Sequence, residues 1–263
     1  MYYMTFPVID EGDNINTFIT PHGKVSLLAN DAIIAGEYKK GNYWDIEGLQ
    51  MLKKYIDPNR NILEIGGHCG TDTIVYASYL NESSKLFVYE PQKRLYDILV
   101  KNIQQNDLSD KVVHNNKAVF SYSGTGTMDA IDLDTRGQVS NRYTTEKQYG
   151  CNFGGVGIGP GGEDVTFTTV DEMGHTNIGF IHCDAQGAEQ YIFSKAQKTI
   201  KRDRPVIYYE NPKSDGGKFA GRVEKAQPGR PEAKFDVEQF CVNELGYRRM
   251  EESNNINILL VPI

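Results

Sequence analysis

The 263-residue sequence predicts an α/β fold built on a mostly parallel, doubly wound sheet, and three observations carry that expectation. The short apolar run at 61–65, NILEI, flows into the turn Gly66-Gly67-His68-Cys69-Gly70 and then into a helical pattern from 71 to 80. Strand, glycine turn and helix in that order open a nucleotide-binding βαβ unit. Four further apolar runs follow, alternating with stretches of helical period, which implies parallel pairing through crossover helices. The chain closes with YRRME, a turn at Ser253-Asn254-Asn255 and INILLVPI, an antiparallel hairpin.

Residues 1–43 are mixed and weakly periodic, with Thr20-Pro21-His22-Gly23 as a turn, and are expected to be an N-terminal extension to a domain spanning 44–263. From 44 to 56, Ile46, Leu49, Leu52, Tyr55 and Ile56 recur at helical spacing until Asp57-Pro58-Asn59 stops them. KLFVYE (85–90) is the second strand, and Pro91 suits the first turn of a helix whose apolar face is Leu95, Ile98, Leu99 and Ile103. KVVHNNKAVF (111–120) reads as the third strand with its exit loop. The Ser/Thr/Gly-rich stretch 121–165 reads as irregular, its segment YGCNFGGVGIGPGG too glycine-rich for a packed element. Its portion 150–162 is expected to be a lid over the site or a solvated loop. GFIHCD (179–184) and PVIYYE (205–210) are the fourth and fifth strands, joined by a helix carrying Ala188, Ile192, Ala196 and Ile200. Asp171-Glu172 reads as a helix start. A polar loop (211–235) leads to a helix with Val237, Phe240, Cys241 and Leu245 on one side, ended by Gly246.

Composition narrows the function classes. With 39% apolar and 24% charged residues the chain is an ordinary globular protein. No stretch has the roughly 18 consecutive apolar residues that a membrane helix requires, and the start lacks a secretory pattern. Cys69, Cys151, Cys183 and Cys241 are too scattered for a zinc site or disulfide framework, so a reducing, cytoplasmic setting is expected. A formal charge of −7 argues against nucleic acid as a partner.

Ligands of an open parallel sheet bind beyond the carboxyl ends of its strands, so the residues there matter most. Glu64 beside the glycine turn would repel a dinucleotide's pyrophosphate but complements a cationic ligand. Glu90 ends the second strand where a carboxylate can accept from both hydroxyls of a ribose.

NILEIGGHCG (61–70) resembles the first motif of the FkbM family of S-adenosylmethionine-dependent small-molecule O-methyltransferases: an acidic residue, then Gly, a small residue, Asn, any residue and Gly. FVYEP (87–91) resembles its second motif, and KNIQQNDL (101–108) and NNKAV (115–119) its intervening segments. IHCDAQGAEQYIF (181–193) is similar to its Lys-Ile-Asp-Val-Glu-Gly-Ala-Glu signature, and RPVIYYE (204–210) to its fifth strand. The resemblance implies a Rossmann-like class I methyltransferase fold, with a mostly parallel seven-stranded sheet, a C-terminal antiparallel hairpin and helices on both faces. It implies S-adenosylmethionine as cofactor, with Glu64, Gly66, Gly67, His68 and Gly70 at the methionine end, Glu90 and Pro91 at the ribose, and Asn116, Lys117 and Ala118 at the adenine. Asp72 and Thr73 open the next helix beside the ligand.

The sequence departs from that pattern with Glu64 for Asp, His68 for Asn, His182 for Lys and Gln186 for Glu. The last two change charge beside Asp184, where the acceptor is expected. Methyl transfer needs positioning and a base near the attacking hydroxyl. Asp184 is the first candidate, with His182 and Glu210 as helpers, and Asp184 with Glu210 is a candidate divalent-cation pair. The competing readings are Asp184 as cap of a helix starting at Ala185 and His182 as a core histidine. Of Tyr208 and Tyr209, only one can face the site. The expected acceptor is a small molecule or glycan, with a sugar hydroxyl by analogy to the family. Alternatives are an NAD-dependent oxidoreductase or epimerase, for which the Gly66–Gly70 spacing is wrong, a nucleic-acid methyltransferase, and a catalytically inactive binding protein of the same fold.

Overall fold

The computed structural model describes residues 5–130, 138–140, 147–149 and 151–263. Its centre is a seven-stranded sheet. Counting strands along the whole chain, its members are β4 (Asn61–Ile65), β5 (Leu86–Tyr89), β6 (Val112–Asn115), β12 (Ile178–Cys183), β13 (Val206–Glu210), β14 (Tyr247–Arg249) and β15 (Asn257–Pro262). They lie in the order β14-β15-β13-β12-β4-β5-β6. All neighbours are parallel except β15, which runs antiparallel to both β13 and β14. This is the expected mostly parallel sheet with its terminal hairpin, the Rossmann-like class I methyltransferase arrangement.

Period-two alternation sorts the strand residues into two cores. Ile62, Phe180, Tyr208 and Leu259 face one layer, while Leu63, Ile181, Tyr209 and Leu260 face the other. The first layer is covered by α2 (Ile46–Leu52), α3 (Thr71–Tyr79) and α4 (Lys93–Gln105), whose Leu49, Ile74 and Leu99 are buried. The second is covered by α5 (Glu189–Ser194), α6 (Gln197–Asp203) and the turn from α8 (Val237–Gln239) into a π-helical turn at Phe240–Glu244. Gly246, with φ +64, ends that turn. Pro91 lies just ahead of α4, whose cap is Gln92, so it fixes the approach to the helix and is not its first turn. The expected helix after the fourth strand is two helices, since the cap of α6 at Ala196 breaks it.

Residues 5–43 hold a three-stranded antiparallel sheet, β1 (Val8–Asp10), β2 (Ile15–Thr20) and β3 (Gly23–Leu28), followed by α1 (Ile34–Lys39). Phe18, Val25, Leu27 and Tyr38 enter the first core. Asn102 of α4 stitches this sheet down: its Oδ1 accepts from Ser26 N (2.7 Å), and its Nδ2 donates to Ser26 O (2.9 Å) and to Cys69 O in the glycine turn (2.7 Å). Residues 1–4 of the expected extension lie outside the described residues.

Two stretches expected to be irregular contain regular elements among their described residues. Within 121–165, β8 (Gly124–Asp129) pairs antiparallel with β11 (Gly161–Thr168), which runs parallel to β7 (Ala118–Val119). A separate pair joins β9 (Gln138–Ser140) and β10 (Lys147–Tyr149), while 131–137, 141–146 and 150 lie outside the described residues. The described part of the glycine-rich segment is also packed: Cys151, Phe153 and Ile158 are buried, with Cys151 bridged to Asp31 and Ile158 to Met128. Within 211–235, α7 (Lys218–Ala226) forms with Val223 buried. No helix among the described residues is long and apolar enough to cross a membrane.

Candidate active site

The chain runs outward through β4, β5 and β6, then crosses back to β12 and β13, so strand order reverses between β4 and β12. A cavity of about 1020 Å³ opens over the carboxyl ends of these strands, where the topology leaves a crevice. The turn after β4 forms one wall. Gly66 sits at φ +88, and a β-carbon there would collide with the Asp184 carbonyl oxygen, so only glycine lets the two strand exits meet. His68 adopts φ +49; asparagine and histidine are among the residues that tolerate this left-handed region, which accommodates the exchange of one for the other. Asp45 and Gln186, at φ +48 and +52, also line the cavity, and strained backbone of this kind gathers at functional sites.

The β4–β5 side carries two buried carboxylates. Glu90 accepts from the backbone N–H of His68 and of Gln92, both at 2.8 Å, and burial nonetheless pushes it up to about 7. Glu64 accepts from Thr73 Oγ1 at 2.7 Å and lies well above the usual carboxylate range through burial, with repulsion from Asp72 adding to it. Asp72 is pushed up to about 7, mainly by burial and then by Asp45. Both ring nitrogens of His68 are buried without a hydrogen-bond partner, and burial lowers the imidazole to about 4.

The β12–β13 side is held by side chains. The Gln186 amide Nε2 donates to Asp184 Oδ1 (2.6 Å) and to Glu210 Oε2 (3.1 Å), and Ser214 Oγ donates to Glu210 Oε1 (3.2 Å). Asp184 is exposed to the cavity and caps no helix: α5 begins at Glu189, whose Oε1 accepts from Ala185 N (2.8 Å). His182 lies edge-on to Tyr76 and tilted against Tyr208, with its Nδ1 lacking a hydrogen-bond partner and 4.0 Å from Asp72. Burial lowers it to about 4, so it is neutral at pH 7.

Of the residues singled out from sequence, Glu64, Gly66, Gly67, His68, Asp72, Glu90, Pro91, Lys117, Ala118, His182, Asp184 and Glu210 line this cavity. Three stand behind it. Gly70 packs against Leu99, Thr73 holds Glu64, and Asn116 turns its amide to the carbonyls of Glu90 and Pro91. Tyr208 faces the cavity while Tyr209 packs on Phe193. Sequence reasoning passed over Asp45, Gln92, Met128 and Ile158. Asp45 reaches solvent but sits in a crowded, concave mouth, where burial and the Asp184 charge push it up to about 6. Its position after Trp44, at the cap of α2, was the available signal.

Residues 44–135 match the model of the protein-L-isoaspartate(D-aspartate) O-methyltransferase family. No curated protein matches the sequence. Among solved structures, an O-methyltransferase from Bacillus cereus in complex with SAH is 17% identical, with 82% of this chain and 78% of that one aligned at TM-score 0.45. The methyltransferase FkbM from Methylobacillus flagellatus is 9% identical over 78% of this chain and 44% of that one, TM-score 0.45, so this chain spans under half of its length. The O-methyltransferase TomG from Streptomyces achromogenes, in complex with SAM, is 13% identical over 82% and 78%, TM-score 0.42. The matched segment, 44–135, carries β4, β5 and β6, and the order of the whole sheet is that of the Rossmann-like class I methyltransferase fold.

Proposed function

We propose that the protein is an S-adenosylmethionine-dependent O-methyltransferase acting on a small polar acceptor, with a sugar hydroxyl as the acceptor class. The observation that supports this most is the division of one cavity: buried Glu64 and Glu90 on the β4–β5 side, and Asp184, His182 and Glu210 on the β12–β13 side.

The residues on the first side suit the cofactor. Gly66 and Gly67 let it approach the backbone, the Glu64 carboxylate complements its cationic end, and the orphaned His68 nitrogens offer it a hydrogen bond. Glu90 is fixed by two backbone donors with lone pairs left for ribose hydroxyls, and Met128 and Ile158 supply apolar surface near Ala118. When bound, S-adenosylmethionine supplies an activated methyl group.

On the second side, Asp184 is the base that takes the acceptor's hydroxyl proton, while Gln186 fixes its rotamer. Neutral His182, its buried Nδ1 turned toward Asp72, helps by shaping the cavity wall beside Asp184. The cavity walls orient the acceptor, which is the larger part of the protein's task. Calorimetric titration with S-adenosylmethionine, S-adenosylhomocysteine and NAD in turn tests the reading. Binding of the two adenosyl sulfur ligands, followed by methyl turnover on a panel of sugars, is the expected result. Binding of NAD alone defeats it, and cofactor binding without turnover on any hydroxyl acceptor removes the acceptor assignment.

A further inference from the structure

We propose that helix α7 carries an acceptor-recognition site in which Arg222 binds an anionic group, a carboxylate or phosphate, on the sugar. Lys218, Phe219 and Arg222 line the cavity from α7, and the four-residue step from Lys218 to Arg222 puts both on one face. Arg222 is exposed, and its guanidinium lies 5.3 Å from the centre of the Phe219 ring. It makes no hydrogen bond or ion pair with any described residue. Carboxylates are plentiful in this cavity, Asp45, Asp72 and Asp184 among them, yet none of these three pairs with Arg222.

The packing ties α7 to the candidate base. Gly187 sits at φ +95, and a β-carbon there would collide with the backbone of Phe219 and Ala220, so α7 rests directly on the turn after β12. That same turn carries Asp184 and Gln186. On the helix's other side Val223 is buried in the second core. Arg222 and Asp184 therefore belong to one packed corner and face one cavity.

The guanidinium offers its N–H groups as a planar fork that matches two oxygens of a carboxylate or phosphate. Its aromatic neighbour limits the orientations given up on binding. A neutral sugar covering Arg222 would bury the charge without such a partner, which is costly, and an amino sugar would oppose it. An acidic sugar supplies the counter-charge and still has hydroxyls for Asp184. The buried Glu64 and Glu90 lie on the β4–β5 side, away from α7's corner. That the bound sugar is the methyl acceptor rests on the methyl-transfer reading; anion binding by Arg222 does not.

The test is calorimetry on the full-length protein, with and without saturating S-adenosylhomocysteine. Glucuronate and glucose 6-phosphate are the probes, and glucose and glucosamine their neutral and cationic counterparts. At low salt one or both acidic sugars are expected to bind about tenfold or more tighter than glucose, and the two arms decide which anion fits. Raising the ionic strength to about 0.5 M should erode that preference, because Arg222 is exposed. Arg222→Gln should bring it within about twofold, and Arg222→Lys should restore only part, since a point charge lacks the fork. Phe219→Leu should cost about two- to fivefold. Lys225→Gln, which removes a charge from the same helix outside the cavity, should change nothing. The proposal is overturned if neither acidic sugar binds tighter than glucose, if glucosamine is preferred, or if Arg222→Gln and Lys225→Gln behave alike. Acidic-sugar binding through Arg222 without S-adenosylhomocysteine binding keeps the site and removes the methyl-transfer reading. S-adenosylhomocysteine binding without the acidic preference does the reverse.

Discussion

The two sides of the cavity are acidic for different structural reasons. On the β4–β5 side, Glu90 is clamped by main-chain N–H groups of the turn and of the α4 approach, and Glu64 by a helix hydroxyl. On the β12–β13 side, Asp184 and Glu210 are joined through one glutamine side chain, and Asp184 faces open cavity. Backbone clamps come with the fold, whereas a side-chain bridge changes with a single residue. The clamp on Glu90 is therefore fixed by the fold, whereas the Thr73 contact to Glu64 and the Gln186 bridge can each be removed by one substitution.

Substitutions can break or sharpen that contrast. The largest effect is expected from Asp184→Asn: kcat falls about 10²–10⁴-fold through loss of the base, while calorimetry finds cofactor affinity little changed. Parallel loss of binding and turnover would instead make Asp184 a structural residue shared by both sides. Next is Glu90→Ala, which removes one or two charge-assisted hydrogen bonds to the cofactor, about 1.5–3 kcal/mol each, so the cofactor Kd rises about 10²-fold. It also strands the N–H groups of His68 and Gln92, so a lower melting temperature should accompany it; an unchanged Kd would remove Glu90 from the ribose site.

A pH effect comes third. Glu90, Asp72 and Glu189 sit at about 7 in the fold, against ordinary values of 4.5, 3.8 and 4.5. Between those limits the folded chain retains protons that the unfolded chain releases, so stability is fullest below about pH 4 and declines as pH rises through 7. These groups thus make the ligand-free melting temperature fall from pH 5 to pH 8, as differential scanning fluorimetry can follow, and a cationic ligand should flatten the slope. The smallest change is Gln186→Glu, which replaces the bridging donor by a third like charge. Acceptor KM should shift a few-fold, about 1 kcal/mol for a lost hydrogen bond, and a comparable shift in cofactor Kd would erase the distinction between the two sides.

What the sequence disclosed follows the same division. Buried parallel strands are short apolar runs with punctuation at each end, so β4, β5, β12 and β13 were legible, and with them the residues at their exits. The β8–β11 pair was not, because its glycines and threonines look like loop. Gly126 lies under the Phe167 ring, where a β-carbon would collide with it, so here glycine is a packing choice that only the tertiary partner explains. Helix α7 was hidden by a sparse apolar face, with Val223 its buried residue. Asp45 escaped notice because its place in the mouth depends on how α2 docks, which no local pattern encodes. The bridge by Gln186 was visible only as a departure from a motif, without its geometry.

Asn102 has a consequence for how the gene can be cut. One buried amide is shared by the N-terminal sheet, through Ser26, and by the glycine turn, through Cys69 O. A chain trimmed at residue 43 would leave that amide facing solvent on one side, and bare the flank of α4 on which β3 rests. The expected product is a shortened chain whose glycine turn is loosened from behind. Fusion tags and circular permutants should therefore spare the hairpin ahead of residue 43, although it lends no atom to the chemistry.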